Sequence, residues 1–405
     1  MTVPAVLLDV NLQALKVIRS LGRKGIPVIG LVRKKGRWEH FSRYCDVRVC
    51  ESGLGIGGSD SEGLKNYLIA LAQELDTKPV LIPMQDDTVL FVSKFKDELR
   101  EHYRFLAPAP HILEKLVSKS GLRELADNCQ IDQPETYSPR TPAEVKSLIG
   151  QLEYPVLIKP EYSRSWLGEK AAPVVTGKVV VINSDEELIR EYERLAQLDN
   201  RLVIQEMTPG PDKNLFYYIG YFDENSNPLA SFVGIKQRIT PIHFGSASFV
   251  KSKYNKEVID ISTAFMKKIG YKGHVGIEYK YDAEKNVYKL IEVNARFGLW
   301  DGMAAKCGID FPYLNYRYLQ GETISVNEHF QEGVKWISFE RDWSAFRQYR
   351  KEQAISLWQW IKSVSTGQRD YAVFALDDPL PFILSSTLFL KSLFGSVTRK
   401  IGRIK

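Results

Sequence analysis

The sequence contains little cysteine and none of the cysteine spacings that bind zinc or form redox pairs. Its four cysteines, Cys45, Cys50, Cys129 and Cys307, are scattered over 405 residues. This distribution favours reduced thiols in the core of a cytosolic protein over a disulfide framework or a metal site. The amino-terminal stretch also lacks a basic region before its apolar run, so it does not predict a secretory signal peptide.

Several binding and catalytic motifs are missing as well. The turn at 9–11 contains no glycine, so the G-x-G-x-x-G phosphate loop of a nicotinamide site is absent. No nucleophile elbow or Cys/His pair offers covalent catalysis. The net charge of +6 is modest, and no basic stripe interleaved with aromatic residues indicates nucleic-acid binding. We therefore expect no nucleic-acid partner.

What is present predicts a soluble protein of two or three domains, with 44% hydrophobic and 26% charged residues. Predicted strands at 3–9, 26–32 and 79–84 alternate with predicted helices at 12–21 and 62–75. This alternation indicates a parallel α/β sheet up to about residue 110. Asp86 and Asp87 follow the third strand, either as ligands at the carboxyl edge of the sheet or as N-caps of a helix at 89–99.

The middle of the chain predicts a helix at 113–128, strands at 154–160, 179–182 and 202–207, and a helix that begins at a capping box at 184–187. Lys159 ends the first of these strands and is either a ligand or only a charged strand end. The last strand turns polar at Gln205 and Glu206, where the chain either joins two lobes beside a planar ligand or forms a plain sheet edge.

Farther on, strands at 214–222 and 229–235 precede a predicted loop that contains Lys236, Arg238 and His243. Three possible cations in one loop would suit an acidic substrate, although a merely solvated loop has the same composition. A helix at 258–269 follows.

Residues 273–298 predict an antiparallel hairpin, because two alternating polar and apolar runs flank a polar turn. A symmetric hairpin would place Glu278 and Glu292 opposite each other, about 5 Å apart. With Asn294 beside them, these side chains would suit a hard cation such as Mg²⁺. The alternative is an ordinary half-solvated hairpin, against which Arg296 argues, since a cation there makes sense beside bound anionic oxygens.

The order of these parts resembles the ATP-grasp superfamily, and in particular its carboxylate-amine ligases such as D-aspartate ligase-like enzymes. The resemblance covers roughly residues 1–325. It rests on Lys119 in Val-Ser-Lys-Ser, Lys159 in Val-Leu-Ile-Lys-Pro, Gln205 and Glu206 in Val-Ile-Gln-Glu-Met, Glu278 in Val-Gly-Ile-Glu-Tyr-Lys, and Glu292, Asn294 and Arg296 in Leu-Ile-Glu-Val-Asn-Ala-Arg.

The resemblance implies ATP and Mg²⁺ or Mn²⁺ as cofactors and assigns roles to these residues. Lys119 and Lys159 would bind the ATP phosphates, and Glu206, next to Gln205, would hydrogen-bond the adenine amino group. Glu278, Glu292 and Asn294 would carry the metal, and Arg296 would support the transferred phosphoryl group. Phosphoryl transfer depends on such positioning and charge neutralisation more than on covalent protein groups.

Two features depart from the family pattern. Ser118 stands before the first lysine, where the family often has Asp. The loop after Lys159 has Gly168 as its only glycine, although the family's phosphate loop is rich in small residues. That loop would then close differently or use other cations on the phosphates, and the candidates are Arg164, Lys170 and Lys178.

The resulting expectation is an α/β and α+β protein. It comprises an N-terminal Rossmann-like parallel-sheet domain (1–110), an ATP-grasp small lobe (111–202), a large lobe with the metal site (203–328) and a C-terminal helical extension (329–405). The expected activity joins a small-molecule or carrier-linked carboxylate to an amine, with Arg296, Lys236 and Arg238 as catalytic or substrate residues. The alternatives are biotin-carboxylase-like carboxylation and a non-catalytic nucleotide-binding protein.

The extension ends in an apolar run at 379–394 and a basic tail with Arg399, Lys400, Arg403 and Lys405. The run is shorter than the roughly 20 residues that span a bilayer. It favours either peripheral contact with the inner face of an anionic membrane or docking on the protein's own core or on a second copy in a homodimer.

Overall fold

The structure is a computed structural model that describes residues 2–54, 60–166, 175, 177–327 and 329–401. At residue 164 and over 392–401 it describes the backbone alone. The predicted contributions of Gly168, Lys170 and the side chains of Arg164, Arg399, Lys400, Arg403 and Lys405 therefore lie outside the described part.

The N-terminal domain is built on a parallel sheet with apolar strands buried between two helical layers. Its strands are β1 (Ala5–Leu8), β2 (Val28–Val32), β3 (Asp46–Val49) and β4 (Val80–Pro83), in the order β3-β2-β1-β4. Its helices are α1 (Leu12–Gly22), α2 (Ser61–Glu74), α3 (Asp86–Lys94) and α4 (Lys96–His102). The sequence analysis missed β3, because its Asp-Val-Arg-Val pattern at a sheet edge carries few apolar residues.

Helix α3 begins earlier than predicted. Asp86 and Asp87 form its first turn, and the N-cap is Gln85, which forms a capping box with Thr88. The interpretation of the two aspartates as N-caps is therefore wrong, whereas their place at the carboxyl edge of the sheet is confirmed.

The helix predicted at 113–128 is two helices, α5 (Pro110–Val117) and α6 (Lys119–Cys129). Ser118 separates them with an extended backbone (φ −94°, ψ 137°), and its side chain caps α6 by accepting from the Gly121 N–H at 3.1 Å. A serine that competes for backbone hydrogen bonds ends one helix and begins the next. The break brings Lys119 to the start of α6.

The small lobe has a four-stranded antiparallel sheet with two helices packed on it. Its elements are β5 (Thr136–Tyr137), α7 (Pro142–Ser147), β6 (Val156–Pro160), β7 (Val180–Ile182), α8 (Asp185–Ala196) and β8 (Leu202–Glu206). Ser184 caps α8 by accepting from the Glu187 N–H, as predicted, while the Glu187 carboxylate accepts from the Asn183 N–H instead of completing a capping box.

The large lobe contains a seven-stranded sheet in the order β13-β12-β9-β10-β11-β14-β15. Its elements up to residue 319 are β9 (Leu215–Phe222), β10 (Pro228–Thr240), β11 (Ser246–Ser252), α9 (Lys256–Lys268), β12 (Gly273–Asp282), β13 (Val287–Asn294), α10 (Gly302–Lys306) and α11 (Phe311–Leu319). Strand β10 continues beyond the predicted end at 235. The predicted loop is therefore wrong for Lys236 and Arg238, which are buried residues of β10, and right for His243.

The C-terminal region contains strands as well as helices. Its elements are β14 (Lys335–Ile337), α12 (Phe339–Lys351), α13 (Leu357–Ser365), β15 (Arg369–Tyr371) and α14 (Leu380–Ile401). Strand β14 pairs with β11, so this region completes the large-lobe sheet. Asp378 then fixes it to the N-terminal domain through a buried ion pair with Arg19 at 2.8 Å. Over the described residues, no helix is long and apolar enough to cross a membrane.

Candidate active site

The hairpin of β12 and β13 has the predicted pairing at its polar end. Glu278 pairs with Glu292 and Gly276 with Asn294. The pairing depends on a β-bulge, because Tyr279 pairs with Leu290 and leaves Ile291 as an extra residue. Without the bulge, the alternation set by the turn would place Glu278 opposite Ile291. The opposed carboxylates are thus confirmed, and the bulge that aligns them was not foreseen.

Lys236 of β10 lies against the Glu278 carboxylate and bonds to it in a buried ion pair. Burial raises the pKa of Glu278, and the charge of Glu292 raises it further, while Lys236 opposes both. The charge of Lys236 therefore favours the ionised form of the buried Glu278 carboxylate. The large-lobe wall of the site is a compact group of charges rather than a solvated sheet face.

Glu292 is more open, and its environment is strongly cationic. Burial favours the neutral carboxyl, but Lys178, Lys236 and Lys119 outweigh it and lower the pKa of Glu292 to about 2. The Asn294 amide also donates to Glu292 at 3.0 Å. This carboxylate is therefore ionised at any physiological pH.

Two lysines face these carboxylates, Lys119 at the start of α6 and Lys159 in the small lobe. Lys159, at the end of β6, donates to the Gln205 side-chain oxygen at 2.6 Å. Burial, reinforced by the nearby charge of Lys119, lowers the pKa of Lys159 to about 8. Burial also lowers the pKa of Lys119, whose ammonium is 3.3 Å from the Ser163 hydroxyl. Two partly desolvated cations so close together are typical of a site that binds anions.

Glu161 is a site residue that the sequence analysis missed. Its carboxylate accepts from the Ser120 N–H at 2.9 Å and from the hydroxyls of Ser118 and Ser120. Its carbonyl accepts from the Lys119 N–H at 3.2 Å. Glu161 therefore anchors the turn that carries Lys119, and Ser118 acts through this carboxylate. An acid two residues after Lys159 was the only sequence signal for it.

Gln205 and Glu206 lie at the junction of the lobes. Gln205 bridges Lys159 and the Thr136 hydroxyl. Glu206 accepts from Lys289 of β13 at 2.7 and 2.9 Å and from the Glu135 N–H at 3.1 Å. An ion pair between β8 and β13 thus ties the two lobes at this edge of the site.

The two predicted arginines are used differently. Arg296 donates to Asp86 at 2.7 Å and so connects the hairpin with the carboxyl edge of the N-terminal sheet. Arg238 donates twice to the buried Asp342 of α12, at 2.8 and 2.7 Å, and its guanidinium lies over the Phe249 ring. Asp342 also accepts from the indole N–H of Trp360 at 2.9 Å. Arg238 therefore joins the C-terminal region to the large-lobe sheet.

A cavity of about 310 Å³ lies where these walls meet. Of the residues predicted for the nucleotide, metal and catalytic sites whose side chains the structure describes, all but Arg238 line it, namely Lys119, Lys159, Lys178, Gln205, Glu206, Lys236, Glu278, Glu292, Asn294 and Arg296. Lys178 is within 3.3 Å of the Ser246 hydroxyl and so bridges the small and large lobes. His243, Phe244 and Gly245 from the β10–β11 connection form another part of the wall.

The donors available to a metal are two opposed carboxylates and an amide. Among the described residues, no three or more His, Cys, Asp and Glu side chains converge as a ready-made metal cage. This composition fits Mg²⁺, which is usually held by one or two carboxylates and completes its octahedron with water and substrate phosphate. It does not fit zinc or another soft metal.

Comparisons with known proteins agree with this architecture. Residues 243–340 match the family model described as "ATP-grasp in the biosynthetic pathway with Ter operon". The chain is 27% identical to D-aspartate ligase of Enterococcus faecium over 228 residues, which are 55% of this chain and 54% of that protein. The chain thus spans about half the length of this curated relative.

Solved structures share the fold. The biotin carboxylase domain of 2-oxoglutarate carboxylase from Hydrogenobacter thermophilus, crystallised with MgADP and bicarbonate, has a TM-score of 0.63 at 17% identity, over 83% of this chain and 73% of that chain. The L-amino acid ligase from Bacillus licheniformis has a TM-score of 0.59 at 16% identity, over 79% and 74% of the two chains. These likenesses confirm the predicted fold class. Together with the family-model match and the likeness to D-aspartate ligase, they bear out the resemblance found in the sequence.

Proposed function

We propose that this ATP-grasp protein is an ATP-dependent ligase that activates a carboxylate as an acyl phosphate and couples it to an amine. The observation that carries the proposal is the cavity in which Lys119 of α6 and Lys159 of the small lobe face Glu278 and Glu292 of the large lobe. Cations on one wall and metal-type donors on the other suit a triphosphate with its divalent cation. The likeness to D-aspartate ligase supports the same class of reaction.

The nucleotide would lie along the junction of the lobes. Lys119, Lys159 and Lys178 would neutralise its phosphates. Gln205 and Glu206 would contact its base at the end of β8. Glu206 remains able to accept another hydrogen bond, because each carboxylate oxygen has more than one acceptor site. Lys289 fixes the carboxylate for that purpose.

Glu278, Glu292 and Asn294 would hold Mg²⁺, which supplies charge neutralisation on the phosphates when bound. Lys236 balances part of the charge of the two carboxylates. Arg296, held by Asp86 at 2.7 Å, would stabilise the negative charge that develops on the transferred phosphoryl group.

The reaction balances without a covalent protein intermediate. A carboxylate oxygen attacks the γ-phosphorus, the bond from that phosphorus to ADP breaks, and an acyl phosphate forms. The amine nitrogen then attacks the carbonyl carbon, phosphate leaves, and the nitrogen loses a proton to give the amide. The protein's part is positioning and charge stabilisation.

Arg238 takes no direct part in this proposal. Its guanidinium is committed to Asp342, away from the cavity lining. Lys236 and Arg296 remain as the basic groups of the large lobe that meet the reacting anions.

The test is phosphate release from ATP by the purified full chain with pools of amino acids, hydroxy acids and amines, followed by mass spectrometry of the products. We expect release that requires Mg²⁺, an acid and an amine together, and a product whose mass equals acid plus amine minus water. Release that needs only bicarbonate would support the carboxylation alternative. Nucleotide binding without turnover over the whole panel would instead support a non-catalytic protein.

We also propose that the enzyme is cytoplasmic and contacts an anionic membrane through α14. This helix turns apolar side chains outward, with Phe382, Ile383, Leu388 and Leu390 between 37% and 57% exposed, and buries Ser385 against the protein. No acidic residue follows Asp378, whereas Lys391 and the four cations of the tail do. An outward apolar face with adjoining cations matches an interfacial helix.

Co-sedimentation with vesicles of anionic or neutral lipid tests this contact. The full chain should bind the anionic vesicles at low salt, and a version ending at Asp378, which keeps the Arg19 ion pair, should not. Equal binding by both versions would overturn the proposal. A stable dimer of the full chain that does not sediment with vesicles would show that a second copy covers this face.

A further inference from the structure

A second cavity, of about 850 Å³, lies between the N-terminal domain and the small lobe. One wall is the carboxyl edge of the parallel sheet, including the loop 33–37 after β2, and the other is formed around Lys119, Tyr162 and Ser163. The two cavities share Asp86, Lys119, Lys178 and Arg296 among their lining residues. The second cavity therefore opens onto the end of the active site that we assign to the transferred phosphate.

The described lining of this second cavity is strongly positive. Seven Lys and Arg residues line it, against three aspartates: Arg33, Lys34, Lys35, Arg37, Lys119, Lys178 and Arg296 face Asp9, Asp86 and Asp87. A concave surface with such an excess of positive charge attracts anions. The excess does not by itself locate a binding group, because a cation paired within the protein has little attraction left for a ligand.

The basic loop supplies the cations that remain available. Arg37 is paired with Glu39 at 2.6 Å, and Arg296 with Asp86. By contrast, Arg33, Lys34 and Lys35 are exposed and form no hydrogen bond or ion pair with any other residue that the structure describes. Three such cations in consecutive positions on a cavity wall form a group that can close around an anionic group.

The acidic side of the cavity does not neutralise that loop. The Asp9 carboxylate accepts from the side-chain amides of Asn11 at 3.1 Å and Gln85 at 3.0 Å, which hold it at the edge of β1. Asp86 is paired with Arg296. Asp9 and Asp86 are thus engaged by residues outside the loop 33–35, and neither is paired with Arg33, Lys34 or Lys35.

We propose that this second cavity binds the acid substrate of the ligase, and that this substrate carries a second anionic group, a carboxylate or a phosphate, which is held by Arg33, Lys34 and Lys35. The inference rests on the proposed function. The carboxylate to be activated would lie at the shared end of the cavities, near Arg296 and Lys119. The second anion would reach the loop after β2 and set the specificity for di-acids or phosphorylated acids over their neutral counterparts.

Binding of matched acids by isothermal titration calorimetry, with and without MgADP, tests the inference. The probes are aspartate and glutamate in both enantiomers and O-phosphoserine, each compared with its neutral counterpart asparagine, glutamine or serine. We expect at least one charged probe to bind tenfold or more tightly than its counterpart, on the order expected for a charge-assisted contact. A carboxylate or phosphate preference among the probes identifies the second anionic group.

Two double variants show whether the loop carries this preference. Arg33→Ala with Lys34→Ala should lower the affinity for the charged probe to that for its neutral counterpart. The affinity for MgADP should stay within about twofold of the wild-type value. The matched control, Lys78→Ala with Lys146→Ala, removes two exposed lysines that line neither cavity and should change nothing.

The inference is overturned if no charged probe binds up to about 10 mM, if the neutral counterparts bind equally well, or if the loop variant keeps the preference. Failure of the ligase proposal appears in a different assay, the phosphate-release screen, as the lack of any release that requires an acid and an amine together. Acid- and amine-dependent release without acid selectivity in calorimetry would overturn only the inference about this second cavity.

Discussion

Replacing Lys159 by Met should stabilise the ligand-free protein while weakening nucleotide binding. The pKa of Lys159 falls from 10.5 to about 8 because its ammonium is desolvated and lies near Lys119. Since one unit of pKa corresponds to about 1.4 kcal/mol, the charged Lys159 lowers the free energy of unfolding at pH 7 by up to about 3 kcal/mol. The variant also loses the 2.6 Å hydrogen bond to Gln205, which destabilises it by about 1 kcal/mol, so the expected net stabilisation is about 2 kcal/mol.

The pH dependence has a definite sign. Between pH 8 and 10.5 the folded protein holds fewer protons on Lys159 than the unfolded chain does, so the stability of the wild type rises with pH in this window. The stability gained by Lys159→Met over the wild type should therefore be largest below pH 8 and should disappear towards pH 10.5. Nucleotide affinity should fall about 10- to 100-fold, the effect of losing a charge-assisted contact to phosphate.

Urea unfolding of the apo protein at pH 7 and 10, combined with calorimetric titration of MgADP at pH 7, measures both effects. Lys159→Arg, which keeps a charge, and Lys146→Met, which neutralises an exposed lysine, are the controls. A destabilised Lys159→Met variant, or one with wild-type MgADP affinity, would refute the reasoning that this buried charge is retained for phosphate binding.

Three further substitutions probe other parts of the site. Glu292→Gln should abolish Mg²⁺-dependent phosphate release while the circular dichroism spectrum stays unchanged, and the control Glu284→Gln, in the turn of the same hairpin, should retain activity. If both variants are equally active, the hairpin is only a solvated sheet face. Arg238→Ala should cost about 3–5 kcal/mol in urea unfolding because it leaves the Asp342 carboxylate buried and unpaired, and a loss below 1 kcal/mol would contradict that. Glu161→Gln should weaken MgADP binding about tenfold, because the serine-rich turn that Glu161 anchors would be released. An unchanged MgADP affinity in calorimetry would show that Glu161 does not position Lys119.

Much of the site could be predicted because its residues end regular elements. Lys159 and Glu206 terminate apolar strands. The position of the hairpin turn brings Glu278 and Glu292 within one residue of direct opposition, and the bulge at Ile291 removes that offset. Alternation and turn chemistry are local properties, so they can be interpreted from one sequence. The Rossmann-like sheet and the two lobes were predicted for the same reason.

The errors came from contacts between distant segments. Arg238 was predicted to lie in a loop that would meet an acidic substrate, whereas Asp342, over a hundred residues away, pairs with Arg238 inside the sheet. The strand β14 and the role of Glu161 likewise depend on partners that the chain brings together only on folding. The bulge at Ile291 has no propensity signal, because one extra residue in a strand changes only the pairing.

The most direct test of the central claim follows oxygen from the acid into phosphate. The acid found in the phosphate-release screen is labelled with ¹⁸O in its carboxylate and incubated with ATP, Mg²⁺ and the amine. If the cavity between the lobes activates a carboxylate by phosphorylation, mass spectrometry will find one ¹⁸O in the released phosphate and none in ADP. Unlabelled phosphate formed together with the amide would contradict the acyl-phosphate route and with it the function proposed for this site.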